Sequence, residues 1–113
     1  MMKRKPLSVR ERSAYHRLED VVGCKWSAGV VAAIGAGVRR PGELQRHIPG
    51  ISTKVLNERL RKLLAFGLIT REEFSGLPAR VDYHLTPTGV KLAKILAQLH
   101  ELNDEHAPER AGR

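Results

Sequence analysis

Residues 48–64 read IPGISTKVLNERLRKLL, and this stretch decides the fold. Its Pro49-Gly50 pair cannot continue a helix and readily reverses the chain. Ser52 is well placed as the N-cap of a helix that we expect from Thr53 to about Phe66. The apolar positions that follow at helical spacing are Leu56, Leu60, Leu63 and Leu64. The stretch therefore predicts a turn followed by an amphipathic helix.

Helical patterns also precede this stretch. Ser8 and Glu11 have the spacing of a capping box, which predicts a helix from there to about Val22. Two further helices are expected over residues 25–36 and 41–47, and the shorter one begins with a proline, which suits a first helical turn. This shorter helix, the Pro-Gly turn and the next helix together form a candidate helix-turn-helix.

The pattern changes to a period of two after Gly67. Residues 68–74 and 80–85 are expected to form two strands, because the second alternates apolar and polar side chains. The five residues between them are too many for a tight two-residue turn. A last helix is expected from about Pro87 to Asn103, while residues 1–7 and 104–113 are expected to be disordered.

This order of elements predicts a fold of the α+β class that is mainly α. The order is that of a winged helix-turn-helix, and a chain of 113 residues suits one such domain. In a helix-turn-helix the second helix enters the major groove of DNA, which is wide enough for one α-helix.

The charge of the chain also favours a nucleic-acid partner. The net charge is +8, with ten basic and four acidic side chains in residues 1–50 and six and three in residues 51–80. Residues 81–113 carry four basic and five acidic side chains, so the C-terminal third is excluded from the basic surface. A basic part of this kind attracts a polyanion, and double-stranded DNA is the first candidate.

The expected DNA contacts lie on and around the helix over 53–66. Its outer face carries amide, guanidinium and ammonium donors that reach phosphates and base edges, and its N-terminus attracts phosphate. An arginine after the loop between the strands is a candidate for the minor groove or is simply exposed. The candidate residues are Arg39, Arg40, Ser52, Thr53, Lys54, Asn57, Arg61 and Arg80.

The sequence resembles the HxlR family of bacterial regulators over roughly residues 15–102. The matching residues are Gly23-Cys24-Lys25-Trp26, Arg40, Glu43-Leu44, the run from Ile48 to Arg61, Leu64, Gly67-Leu68-Ile69, the run from Arg80 to Thr86, and Gly89. The resemblance implies a homodimer that binds inverted-repeat operators through its two recognition helices. It also implies that the first and last helices build the dimer interface, for which the candidates are Leu18, Val22, Leu92, Ile95, Leu96 and Leu99.

The chain departs from the family at its cysteine positions. Many members carry a Cys-Pro pair near the start of the first conserved helix, where this chain has Ser13 and Ala14. Thiol sensing by that route is therefore not expected. The single cysteine, Cys24, is either a possible redox residue with a lowered pKa or a small buried hydrophobic residue. A small-molecule or electrophile effector is possible and is not identified by the sequence.

Other classes of function find little support. The histidines show no metal-ligand spacing, no glycine-rich phosphate loop follows a strand, and no nucleophile–base arrangement is evident. We therefore expect no enzyme, no metal and no cofactor. A secretory signal and a membrane span are also not expected, which indicates a cytoplasmic protein. Two alternatives remain, namely a protein-binding module and an architectural DNA-binding protein without operator specificity.

Overall fold

Helices and one β-hairpin follow each other in the order that the sequence predicts. A computed structural model describes residues 20–22 and 24–106. The elements are α1 (Lys25–Gly35), α2 (Pro41–His47), α3 (Thr53–Ala65), β1 (Ile69–Phe74), β2 (Arg80–Leu85) and α4 (Pro87–Glu105). Residues 20–22 are also helical, and the rest of the helix predicted from Ser8 lies outside the described residues. The winged helix-turn-helix prediction is thereby confirmed.

Most boundaries agree with prediction to within one residue, and the C-terminal helix differs most. It continues to Glu105, so Asp104 and Glu105, which we expected to be disordered, are helical. His100 Nε2 lies 3.7 Å from Asp104 Oδ2, one helical turn away.

Helix α1 runs through the centre of the core. Its buried residues Val30, Val31, Ala33 and Ile34 contact a cluster contributed by the other elements. That cluster includes Leu44 of α2, the three leucines Leu56, Leu60 and Leu63 of α3, Ile69 and Tyr83 of the hairpin, and Leu92 of α4. The leucine stripe that the sequence predicts for α3 therefore faces the core, although Leu64 is only partly buried.

The turn between α2 and α3 depends on one glycine. Gly50 has φ +83°, a left-handed conformation that glycine adopts without steric cost. The Ile51 N–H donates to the Ile48 carbonyl across the turn (3.3 Å). Ile48 and Ile51 are both buried, so the turn is fixed by the core on either side.

The hairpin is antiparallel, with Ile69 opposite Leu85 and Phe74 opposite Arg80. On β2, Tyr83 is buried while its neighbours Asp82 and His84 belong to the other face, as the alternation predicts. The Tyr83 N–H also donates to the Arg39 carbonyl (2.8 Å). The segment before α2 is therefore hydrogen-bonded to the outer edge of β2.

Helix α4 begins against the backbone of the turn that precedes β1. Thr86 caps the helix by accepting a hydrogen bond from the Gly89 N–H, and its hydroxyl donates to the Gly67 carbonyl (2.7 Å). A Cβ atom at Gly89 would lie 2.1 Å from the Leu68 carbonyl oxygen, so only glycine fits there. None of the helices in the described part of the chain is long and apolar enough to cross a membrane.

Candidate nucleic-acid interface

The outer face of α3 carries three polar side chains at helical spacing. Lys54, Asn57 and Arg61 occupy positions i, i+3 and i+7 and are all exposed. The opposite face is fixed in the core by the three buried leucines of this helix. The three donors are thus presented to solvent by a helix whose orientation is set by packing.

The N-terminus of α3 is capped and tied to α2. The Ser52 hydroxyl accepts a hydrogen bond from the Val55 N–H (3.1 Å). The Thr53 hydroxyl donates to Gln45 Oε1 (3.1 Å), which joins the first turn of α3 to the middle of α2. Both side chains lie at the exposed, dipole-positive end of the helix, where phosphate is favoured. Each of them already has a structural role in the free protein.

Arg39 is held by the hairpin through its side chain as well as its carbonyl. Its Nη1 donates to His84 Nδ1 (2.9 Å). The other ring nitrogen, Nε2, is buried and lies 3.3 Å from Glu72 Oε1, although the two do not meet in hydrogen-bond geometry. Arg39, which the sequence predicts to contact phosphate, therefore lies beside the wing.

Arg40 and Arg80 converge on one carboxylate. Asp82 Oδ1 is 3.9 Å from Arg40 Nε and 3.7 Å from Arg80 Nε. The Arg80 guanidinium also lies over the Phe74 ring, 4.3 Å from its centroid. The fold thus brings the adjacent residues Arg39 and Arg40 to the same face of the hairpin as Arg80, which is far from them in the sequence.

The residues that hold these arginines were missed by the sequence-based assignment of contacts. Asp82 and His84 were expected on the polar face of β2, yet no role was predicted for either. The signal was present in the strand alternation, which places both on one side. Their partners were not predictable, because the pairing of Arg39 with β2 depends on tertiary structure.

The loop between the strands forms the tip of the wing. It carries no charged side chain, and Leu77 is fully exposed there. Arg80 lies at the first position of β2, at the base of this loop. The cation nearest in sequence to the tip is therefore fixed over Phe74 instead of standing at the apex.

The predicted dimer residues separate into two groups. Leu92 is 6% exposed and belongs to the core of this chain, and the partly buried Val22 and Leu96 pack against that core. Leu92 is thus a core residue, because its side chain is already enclosed by its own protomer. Ile95 and Leu99 are exposed, as is Leu102 one turn further on. Leu18 lies outside the described residues.

Cys24 is the N-cap of α1. Its partly buried sulfur accepts a hydrogen bond from the Ser27 N–H (3.5 Å). Burial, the largest single influence, raises the pKa of the thiol. The hydrogen bonds from Ser27 and Trp26 and the charge of Arg59 outweigh it, so the pKa of Cys24 is lowered overall. Among the described residues, no cluster of His, Cys, Asp and Glu could hold a metal ion.

Comparison with known proteins identifies the family. The model of the HxlR-like helix-turn-helix family matches residues 21–111. An HTH-type transcriptional regulator of Synechocystis is 38% identical over 86 residues, which cover 76% of this chain and 64% of that protein. YkvN of Bacillus subtilis, another HTH-type transcriptional regulator, is 35% identical over 91 residues, which cover 80% of this chain and 77% of YkvN. The chain thus matches just under two thirds of the first relative and more of the second.

A solved structure agrees with these relatives. A MarR-family transcriptional regulator from Enterococcus faecalis superposes with a TM-score of 0.75 at 31% identity, and the match covers 97% of this chain and all of that one. The two-stranded wing and the helices that surround it are therefore those of a known class of regulators. This protein belongs to the HxlR-like helix-turn-helix family and is a transcriptional regulator with a winged-helix fold.

Proposed function

We propose that the protein is a homodimeric, sequence-specific DNA-binding regulator. The observation that carries the proposal is the outer face of α3, where Lys54, Asn57 and Arg61 are exposed on a helix whose other face is buried. Asn57 and Arg61 are the candidates for base edges, because amide and guanidinium groups make bidentate contacts with adenine and guanine in the major groove. Lys54 contacts phosphate.

The wing and the N-terminus of α3 add contacts to the DNA backbone. Arg39, Arg40 and Arg80 lie together on one face of the hairpin, and phosphate contacts from such groups fix the register of a protein on the duplex. Ser52 and Thr53 stand at the helix end that favours phosphate.

Dimerisation uses the exposed apolar stripe of α4. Ile95 and Leu99 are 54% and 46% exposed, and Leu102 continues the stripe. Full burial of an exposed side chain of this kind gains roughly 1.5–3 kcal/mol, so covering each of these half-exposed side chains with a second copy gains about half of that. A two-fold dimer places two recognition helices about 34 Å apart, which matches an inverted-repeat operator. Such a regulator acts in the bacterial cytoplasm, where the chromosome lies.

The test compares two duplexes at two salt concentrations. The protein is titrated against the region upstream of its own gene and against a scrambled duplex of the same composition. Operator recognition predicts a preference of roughly 10³-fold or more at physiological salt. Equal affinity for both duplexes would favour an architectural DNA-binding protein. Failure to bind either duplex would favour a protein-binding module.

A further inference from the structure

The carboxylate of Asp82 lies beneath two guanidinium groups that come from different parts of the fold. Arg40 precedes α2 and Arg80 begins β2, and each approaches Asp82 Oδ1 through its Nε atom. The side chain of Asp82 is 14% exposed, whereas those of Arg40 and Arg80 are 51% and 46% exposed. The carboxylate is thus enclosed while the two cations face solvent.

The contacts with Asp82 leave most of the hydrogen-bonding capacity of the arginines unused. Asp82 Oδ1 accepts no hydrogen bond from the described residues, since both distances exceed hydrogen-bond range. Asp82 therefore acts by charge, offsetting the repulsion between two guanidinium groups that stand close together. Each guanidinium keeps donors for another acceptor, and a planar fork of N–H groups suits phosphate.

A groove opens beside these two arginines. It has a volume of about 710 Å³ and lies between the start of α2 and the wing. Its walls include Arg40, Arg80 and the apolar side chains of Pro41 and Phe74. Glu73 also lines the groove, but its carboxylate is paired with Arg71.

We propose that Arg40 and Arg80 bind one and the same phosphate of the DNA backbone, and that Asp82 is the positioning residue that holds them together. The inference rests on the proposed function and names the partner of this part of the surface. It assigns Arg80 to phosphate instead of to the minor groove. One phosphate is then bound by the helix-turn-helix and by the wing at the same time.

The test is a double-mutant cycle on the salt dependence of DNA binding. Arg40→Gln, Arg80→Gln and the double variant are titrated with a labelled duplex of fixed sequence over a series of KCl concentrations. Glutamine keeps the chain stem over Phe74, and Arg40 makes no side-chain cap bond that would be lost. Lys94→Gln, an exposed residue of α4, removes the same charge elsewhere and is the matched control.

A shared phosphate predicts a strongly non-additive result. In a plot of the logarithm of the association constant against the logarithm of the salt concentration, the slope changes by about 0.9 for each phosphate that is neutralised. The magnitude of the slope should therefore fall by about 0.9 in the double variant. It should fall by less than half of that in each single variant, because the remaining arginine still binds the phosphate. A loss of about 0.9 in each single variant and about 1.8 in the double variant would overturn the inference. So would a slope that none of the variants changes.

The role of Asp82 is tested in the same assay. In an Asp82→Asn background the two guanidinium groups lose their common counter-charge, so the two arginine substitutions should become additive, to within about twofold in affinity. Asp82→Glu restores a carboxylate and should restore non-additivity. Persistent non-additivity in Asp82→Asn would exclude the positioning role. If the wild-type protein binds no duplex at all, it is the proposed function that fails, whereas an additive cycle contradicts only the shared phosphate.

Discussion

Arg39 Nη1 lies 2.9 Å from His84 Nδ1. A guanidinium group has only donors and does not lose its charge in proteins, so Nδ1 must be the acceptor. The contact therefore favours the tautomer of the imidazole that carries its proton on Nε2, on the side of Glu72.

The tautomer can be observed by nitrogen NMR. At about pH 8, where an ordinary imidazole is neutral, His84 should show a protonated Nε2 and an unprotonated Nδ1. Arg39→Ala removes the donor and should weaken this preference. Exposed His47 is the internal control, because it has no such partner among the described contacts. A proton on Nδ1 of His84 in the wild type would contradict the contact.

The sequence predicts local structure well here because its signals are local. The leucine spacing from Leu56 to Leu63 and the Pro49-Gly50 pair define α3 and the turn before it without reference to the rest of the chain. The contacts of Arg39 with β2 have no such signal, since they join residues more than forty positions apart. Leu92 illustrates the same limit, because the stripe on α4 does not tell which leucines face the core of the protomer and which face solvent.

Gly89→Ala should lower the free energy of unfolding. The added Cβ would clash with the Leu68 carbonyl, which is backbone and cannot move without displacing β1. Overpacking of this kind costs about 1–3 kcal/mol. Gly29→Ala is the matched control in α1, where the nearest atom is 3.9 Å away, and it should raise the free energy of unfolding by about 0.5–1 kcal/mol. Urea titration of both variants measures the difference, and equal effects would refute the close approach.

Asn57→Ala should relax the sequence preference of DNA binding. A bidentate base contact accounts for about 1–3 kcal/mol of discrimination, and its loss should leave the affinity for scrambled DNA nearly unchanged. Arg39→Ala should instead weaken binding to operator and scrambled duplex alike and lower the salt dependence. Competition titrations with the two duplexes separate these outcomes. Unchanged operator binding by Asn57→Ala would show that α3 is not placed in the groove as proposed.

Leu99→Glu should convert the dimer to a folded monomer. Leu99 is exposed in the single chain, so the charge is tolerated there and disfavoured only in a buried interface. Ala97→Glu adds the same charge to an exposed position on the side of α4 away from the stripe and should leave the dimer intact. Sedimentation velocity gives the mass of each species, with circular dichroism as a check on folding. A Leu99→Glu variant that remains dimeric would place the interface elsewhere.

Alkylation of Cys24 should follow a thiol pKa below the ordinary value. The rate of reaction with iodoacetamide rises with the thiolate fraction, so its midpoint should lie at lower pH than that of a free cysteine. Arg59→Gln removes a positive charge that favours the thiolate and should move the midpoint to higher pH. Lys62→Gln on the same helix is the control and should not shift it. A wild-type midpoint at or above that of free cysteine would contradict the lowered pKa.

The hydrogen bond from Tyr83 to the Arg39 carbonyl has a mechanical consequence. Since the wing is hydrogen-bonded to the segment that leads into α2, and α2 is hydrogen-bonded to α3 through Gln45 and Thr53, we expect a displacement of the wing to move α3 as well. The wing, α2 and α3 would then move together on DNA bound as proposed. In the proposed dimer, a signal that releases DNA would act most directly on the angle between the two protomers, with little deformation inside either one.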